Sequence, residues 1–305
     1  MERGTHSYLE DARNENIKIY INGTTLNRKD ALISVFDSGF LLGDGVWEGI
    51  RLLNGKLVFL KEHLDRLFSG AKQLDIDIGY SPQDLTDIIH KILKANEMKN
   101  DVHIRLIVSR GLKRTPYQHP NANIEGSTLV IIPEYKKADK KINENGIHLV
   151  TVKIRRGTPD TQDPRLNTLS KLNCILACIE ADKLGADEGI MLDVNENVST
   201  CNSTNFFIIR DGEVWTSKGM YCLPGITRKI VIDICKEKNI PIYEKNFKIK
   251  SVHSADEAFV TGTFAGIIPV KKIDSHIISN GVRGELTHEL QKYYSEKLIK
   301  LYPKI

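Results

Sequence analysis

Lys171 is the residue in this chain whose type most directly suggests covalent chemistry, because a neutral amine attacks carbonyl carbon. It lies in DPRLNTLSKLNCILACIEADKLGADEGIMLD, which runs on to VNENVSTCNSTNFFI. Leu169, Leu172, Leu176 and Ile179 recur at helical spacing, Asn167 suits an N-cap and Gly185 a stop, so the pattern predicts a helix of about four turns. Lys171 then falls one turn inside, on the face of Asn167, with its amine reaching back over the opening turn. The positive end of a helix lowers an amine's proton affinity, which suits a lysine that must be neutral to react. The bland alternative is a solvated surface charge.

Two turns suit an anion. LPGITRKI, residues 223–230, places a glycine turn before a helix, so that amides at Ile226 and Thr227 point outward with the helix dipole behind them. TGTFAG, residues 261–266, is a second glycine-and-hydroxyl turn, expected between a strand and a helix start, and it carries Thr263. Arg66, in EHLDRLF, offers a guanidinium that grips phosphate bidentately. Its alternative is a helix-surface pair with Glu62, four residues earlier.

These groups need elements to position them. IKIYING and the following TTLNRKDALISVFDSG read as a strand, an NG turn and a second strand. In FLLGDGVWEGIRLLNGKLVFL, glycines 43, 45 and 49 let backbone pass close by, and Asn54-Gly55 closes a hairpin. Leu60, Leu64, Leu67 and Ala71 mark an amphipathic helix, and Ser81-Pro82 opens another that runs to about Met98. With VHIRLIVSRG and STLVIIPEY these make a small α+β domain over residues 1–135. KKADKKINENG gives a linker at 136–145. Residues 146–305 then alternate strands and helices, read as a larger barrel-like β domain with flanking helices and an amphipathic C-terminal helix.

The 305 residues carry 43 basic and 39 acidic side chains, a net charge of +4 with no long run of one sign, which argues against nucleic-acid binding. No stretch of 18 apolar residues is present, so no membrane span is expected, and the polar start lacks a signal-peptide core. Five cysteines without a C-x-x-C pair read as reduced thiols of a cytoplasmic protein.

VFDSGFLLGDGVWEGIR, EHLDRLFSGAK, HIRLIVSRG, ADEGIMLD, LPGITR and EAFVTGTFAGI, in this order, resemble the class IV pyridoxal phosphate enzymes, which include branched-chain and D-amino acid aminotransferases and aminodeoxychorismate lyase. The likeness spans residues 17–302. It implies an α+β fold of type IV with two domains, a homodimer, and a cofactor held between the domains of each subunit. It also implies that Arg66, Ile226, Thr227 and Thr263 bind the cofactor phosphate, and that Thr200 and Asn205 contact the cofactor. Trp47 matches an aromatic that shapes the side-chain pocket, and Arg105 an arginine of the small domain.

The resemblance breaks at its chemical centre. Matching ILACIEADKLGADEGIMLD and RRGTPDTQDP without gaps puts Asn167 at the family's Schiff-base lysine. Lys171 then stands where relatives carry a tyrosine or similar residue near the cofactor's phenolic oxygen, and sliding K-L-N onto the family's K-x-x-N, by deleting helix residues, also leaves Lys171 as the lysine in reach. Thr200 replaces a glutamate that keeps the pyridine nitrogen protonated, and a hydroxyl makes only a neutral hydrogen bond. Leu42 and Ser38 replace a tyrosine and a histidine. Three readings follow: an aminotransferase for amino acids and 2-oxo acids with its lysine moved to Lys171; a lyase or racemase using the same cofactor; or a protein that binds another phosphorylated ligand. In the loop SRGLKRTPYQHP, Arg114 and His119 are candidates for a substrate carboxylate. His63 reads as a surface residue, Cys174 and Cys178 as small core residues, and Cys201 as lining the site.

Overall fold

The computed structural model describes residues 4–6 and 8–303. They form two compact units, a smaller one built from Leu9–Lys137 and Leu166–Lys171, and a larger one built mainly from Ala138–Arg165 and Leu172–Pro303.

In the smaller unit six strands make an antiparallel sheet in the order Thr24–Asn27, Lys18–Ile21, Thr128–Tyr135, Val102–Ser109, Gly45–Leu53 and Lys56–Val58. Burial alternates along much of Val102–Ser109, so Ile104, Leu106 and Val108 face the core. Helices Leu60–Gln73 and Pro82–Ala95 bring Leu64, Leu67, Leu85, Ile89 and Ile92 onto that core, each buried side chain contributing roughly 1.5–3 kcal/mol. The second helix opens at Ser81-Pro82, as its sequence predicts, and the structure adds a complete capping box between Ser81 and Asp84.

The segment around Asn167 departs from its expected form. Trp47 N donates to Asn167 O at 3.0 Å, Leu169 N donates to Gly45 O at 2.9 Å, and Val46 bridges Thr168 antiparallel. Backbone groups that a helix would use are thereby paired with a strand, so residues 167–169 are not helical and the helix begins only at Leu172. Asn167 is therefore no N-cap, and Lys171 precedes the helix instead of lying inside it. Gly45 makes the approach possible, because a Cβ there would meet Val108 O at 2.5 Å and Leu169 Cδ1 at 2.6 Å.

The larger unit carries a mixed sheet in the order Val198–Cys201, Glu188–Leu192, Ile147–Thr151, Gly266–Ile273, Glu257–Gly262, Asn205–Arg210, Glu213–Thr216 and Ile242–Glu244, with His276–Ile277 on Gly266–Ile273. The sheet curls into a half-barrel: Cys201 N donates to Thr204 O, joining its first strand to the start of Asn205–Arg210. Helix Leu172–Lys183 packs through Ala177 and Ala181 against Val150, Val152 and Met191. Small residues permit that close approach, which leaves Leu172, Ile175, Leu176 and Ile179 exposed, at 65%, 51%, 42% and 45%. Cys178 is exposed and Cys174 half-buried, contrary to the reading of both as core residues, because the alanine face turns inward instead. The expected linker contains helix Lys140–Asn145, capped by the Asp139 side chain and packed on Gly266–Ile273. Residues 263–265 turn between two antiparallel strands, not between a strand and a helix.

Candidate active site

Trp47, Asn167, Lys171 and Arg105 meet in the smaller unit. The Asn167 side chain, 6% exposed, donates from Nδ2 to Trp47 O at 2.7 Å. Lys171 Nζ donates to Asn167 Oδ1 at 3.1 Å and stands 5.5 Å from the centre of the Trp47 ring. The indole N–H donates to Thr168 O at 3.1 Å, which fixes the plane of the ring. Arg105 lies flat on that ring at 3.7 Å. Burial pushes its guanidinium below the ordinary value, with Glu134 and Glu48 pulling the other way. Among the described residues no hydrogen bond or ion pair holds this guanidinium. Such a charge is suited to an incoming carboxylate.

Arg66 pairs with Glu48. Its Nε and Nη2 donate to Glu48 Oε1 and Oε2 at 2.7 and 2.8 Å, and His63 Nδ1 lies 2.6 Å from Glu48 Oε2. His63 is buried at 1% exposure, correcting its reading as a surface residue. Its helix turns it toward the strand that carries Glu48, which sequence spacing along one helix does not reveal. A guanidinium has five N–H donors and this carboxylate takes two, so Arg66 is held rigidly while remaining a cation.

In the larger unit Asn205 joins the two candidate anion turns. It pairs with Thr261 across the sheet, and its Nδ2 donates to Leu223 O at 3.0 Å. Gly225 is required beside it, since a Cβ there would sit 2.0 Å from Asn205 Oδ1. Gly225 is the N-cap of Ile226–Glu237 and gives no side-chain cap, so the first-turn amides of Ile226 and Thr227 keep their outward donors. Thr261 Oγ1 is buried without a partner, and Thr263 lies two residues beyond it. An uncapped helix start beside a buried orphan hydroxyl has the donor chemistry of a phosphate site.

The Thr200 hydroxyl donates to Thr204 O at 2.7 Å. Thr204 is itself fixed, because buried Glu188 accepts from Thr204 Oγ1 and Ser203 Oγ, both at 2.8 Å, and from Thr5 Oγ1. Cys201 is buried, and desolvation raises its thiol well above the ordinary value. Arg114 and His119 are exposed on their loop. His119 Nδ1 accepts from Asn121 N, and neither residue joins the contacts around Trp47. Sequence reasoning missed Glu48, whose position in WEGIR gives no sign that it is buried, and Arg156. The Arg156 guanidinium donates to Tyr221 O, Asn173 Oδ1, Cys174 Sγ and Pro164 O, tying both ends of the larger unit's break at 166–171 to one group.

The family model described as amino-transferase class IV matches residues 45–273. A putative branched-chain-amino-acid aminotransferase of Methanocaldococcus jannaschii is 37% identical over 92% of this chain and 96% of its own length. Branched-chain-amino-acid aminotransferase-like protein 1 of Arabidopsis thaliana is 39% identical over 92% of this chain, which spans only 51% of that relative. Among solved structures, the T.th. branched-chain amino acid aminotransferase with pyridoxamine 5'-phosphate superposes with a TM-score of 0.86 at 27% identity, covering 95% of this chain and 96% of that one.

Proposed function

The chain belongs to the class IV aminotransferase family, and we propose that it is a pyridoxal-phosphate-dependent aminotransferase for amino acids and 2-oxo acids of the branched-chain or D-amino acid type. The observation that carries this reading is the placement of the Lys171 amine: it is bound to the side chain of Asn167, which the resemblance matches to the family's lysine, and stands over the ring on which Arg105 lies.

The donor chemistry of the larger unit fits the cofactor. The amides of Ile226 and Thr227 and the hydroxyl of Thr263 would hold its phosphate, with Asn205 keeping the two turns in place. By the family resemblance Arg66, held by Glu48 in the smaller unit, is a further candidate for the phosphate. When bound, the cofactor supplies the aldehyde that takes up an amino group and the ring that draws electrons from the carbon losing its proton. Lys171 Nζ takes the proton from the substrate Cα and later returns one, acting as base and then acid. Arg105 binds a substrate carboxylate, and Trp47 forms an apolar wall beside the reacting carbon. Arg114 and His119, exposed on their loop, are the second candidates for a carboxylate partner.

Thr200 supports a second reading. Its hydroxyl is engaged with Thr204 O, so it gives the pyridine nitrogen no carboxylate, and a ring that draws electrons less strongly suits a lyase or racemase. An assay that mixes amino acids with 2-oxo acids separates the two: exchange of amino groups supports the aminotransferase, and release of ammonia or inversion without an acceptor supports the other.

The apolar stripe of Leu172, Ile175, Leu176 and Ile179 supports a homodimer that covers it. Among the described residues no helix is long and apolar enough to cross a membrane. Five free cysteines support a cytoplasmic location.

A further inference from the structure

By the resemblance Asn167 stands in the place of the family's lysine, and both ends of its carboxamide are hydrogen-bonded. Its backbone carbonyl accepts from Trp47 N at 3.0 Å, and its Nδ2 donates to Trp47 O at 2.7 Å, so one residue grips both polar groups of the Trp47 backbone. A carbonyl only accepts, so Trp47 O decides which end of the carboxamide faces it, and Oδ1 is left facing Lys171. At 6% exposure Asn167 has little room to choose another rotamer. The 3.1 Å hydrogen bond to the Lys171 amine therefore starts from a fixed acceptor. Ordering Lys171, with four rotatable side-chain bonds, costs up to about 2 kcal/mol, which this bond helps to offset.

We propose that Asn167 is a positioning residue that holds the Lys171 amine for the reaction: position 167 now places the amine that position 171 supplies. The inference rests on Lys171 being the reactive lysine of the proposed aminotransferase. It also explains why a polar residue is kept at a position enclosed by backbone, where an apolar side chain would leave Trp47 O without its 2.7 Å partner.

Two measurements on the full chain test it. In the first, with no cofactor added, the protein is acylated by limiting acetic anhydride across a pH series, and Lys171 is compared with exposed Lys91 by peptide mapping. Asn167→Asp puts a negative charge beside the amine and should move the Lys171 midpoint up by about one pH unit. Asn167→Ala removes the hydrogen bond to the amine and should move the Lys171 profile toward that of Lys91. In the second, pyridoxal phosphate is added, the protein is reduced with borohydride, and cofactor on Lys171 is counted. Asn167→Ala should lower that incorporation roughly tenfold or more, while binding of inorganic phosphate, which does not involve the amine, stays as in the wild type. If Asn167→Ala does not fold, the Asn167→Asp midpoint decides. Unchanged Lys171 profiles in the variants, with normal incorporation in the wild type, overturn the positioning role and leave the aminotransferase standing. No incorporation at Lys171 in the wild type overturns both.

Discussion

Glu48, with no exposed surface, accepts from both Nε and Nη2 of Arg66, and the pair is closed on its other side by His63. Burial pushes the Glu48 carboxyl upward, but the hydrogen bonds from Arg66 and His63 outweigh it and hold the group below its ordinary value of 4.5. A depressed carboxylate stabilises the fold above its ordinary value, and that contribution is lost as pH falls through the lower, folded one. Glu48→Gln leaves Arg66 and His63 facing a neutral amide, which should cost about 3–5 kcal/mol. Urea unfolding at neutral pH should show that loss, and repetition below pH 4.5 should show a smaller difference between the two proteins.

Gly225→Ala tests the phosphate turn. The added Cβ would fall 2.0 Å from Asn205 Oδ1, so Asn205 must leave Leu223 O or the turn must shift. Calorimetric titration with inorganic phosphate and with pyridoxal phosphate should show both affinities falling roughly tenfold or more. Wild-type affinity in the variant would mean that this helix start holds no phosphate.

How far the sequence could be read depended on whether a signal was local. Ser81 and Pro82 are adjacent and announced the start of their helix, which ends at Ala95, short of the expected Met98. LPGITR likewise announced a glycine-capped helix start at Gly225. Asn167 misled because its neighbours carry a helical period, while the bonds that decide its conformation come from Gly45 and Trp47, more than a hundred residues away. His63 misled for the same reason, its partner Glu48 lying on a strand. On helix Leu172–Lys183 the apolar period was read correctly, but periodicity alone does not say whether leucines or alanines face the chain's own core. The match of position 167 to the family's lysine is read from resemblance alone, since nothing in the residue itself marks it.

Arg105→Lys separates recognition from chemistry. An ammonium neither lies flat on Trp47 nor binds a carboxylate bidentately, so the substrate should bind more weakly. Steady-state kinetics should show KM raised by roughly tenfold or more with kcat changed much less. An equal fall in kcat with KM unmoved would remove Arg105 from carboxylate binding.

The exposed stripe on helix Leu172–Lys183 should be covered by a second copy. Ile175→Asp places a charge in that stripe without touching the buried Ala177 and Ala181. Sedimentation should find a dimer for the wild type and a shift toward monomer for the variant, and a monomeric wild type would contradict the assembly.

Whether Lys171 is the reactive lysine is decided by adding pyridoxal phosphate to the purified protein, reducing with borohydride and mapping the peptide that retains the cofactor. One labelled residue is expected, Lys171, with no labelling in Lys171→Ala. Retention of phosphate binding with no lysine labelled, or with label on a lysine other than Lys171, would contradict the role given to this amine.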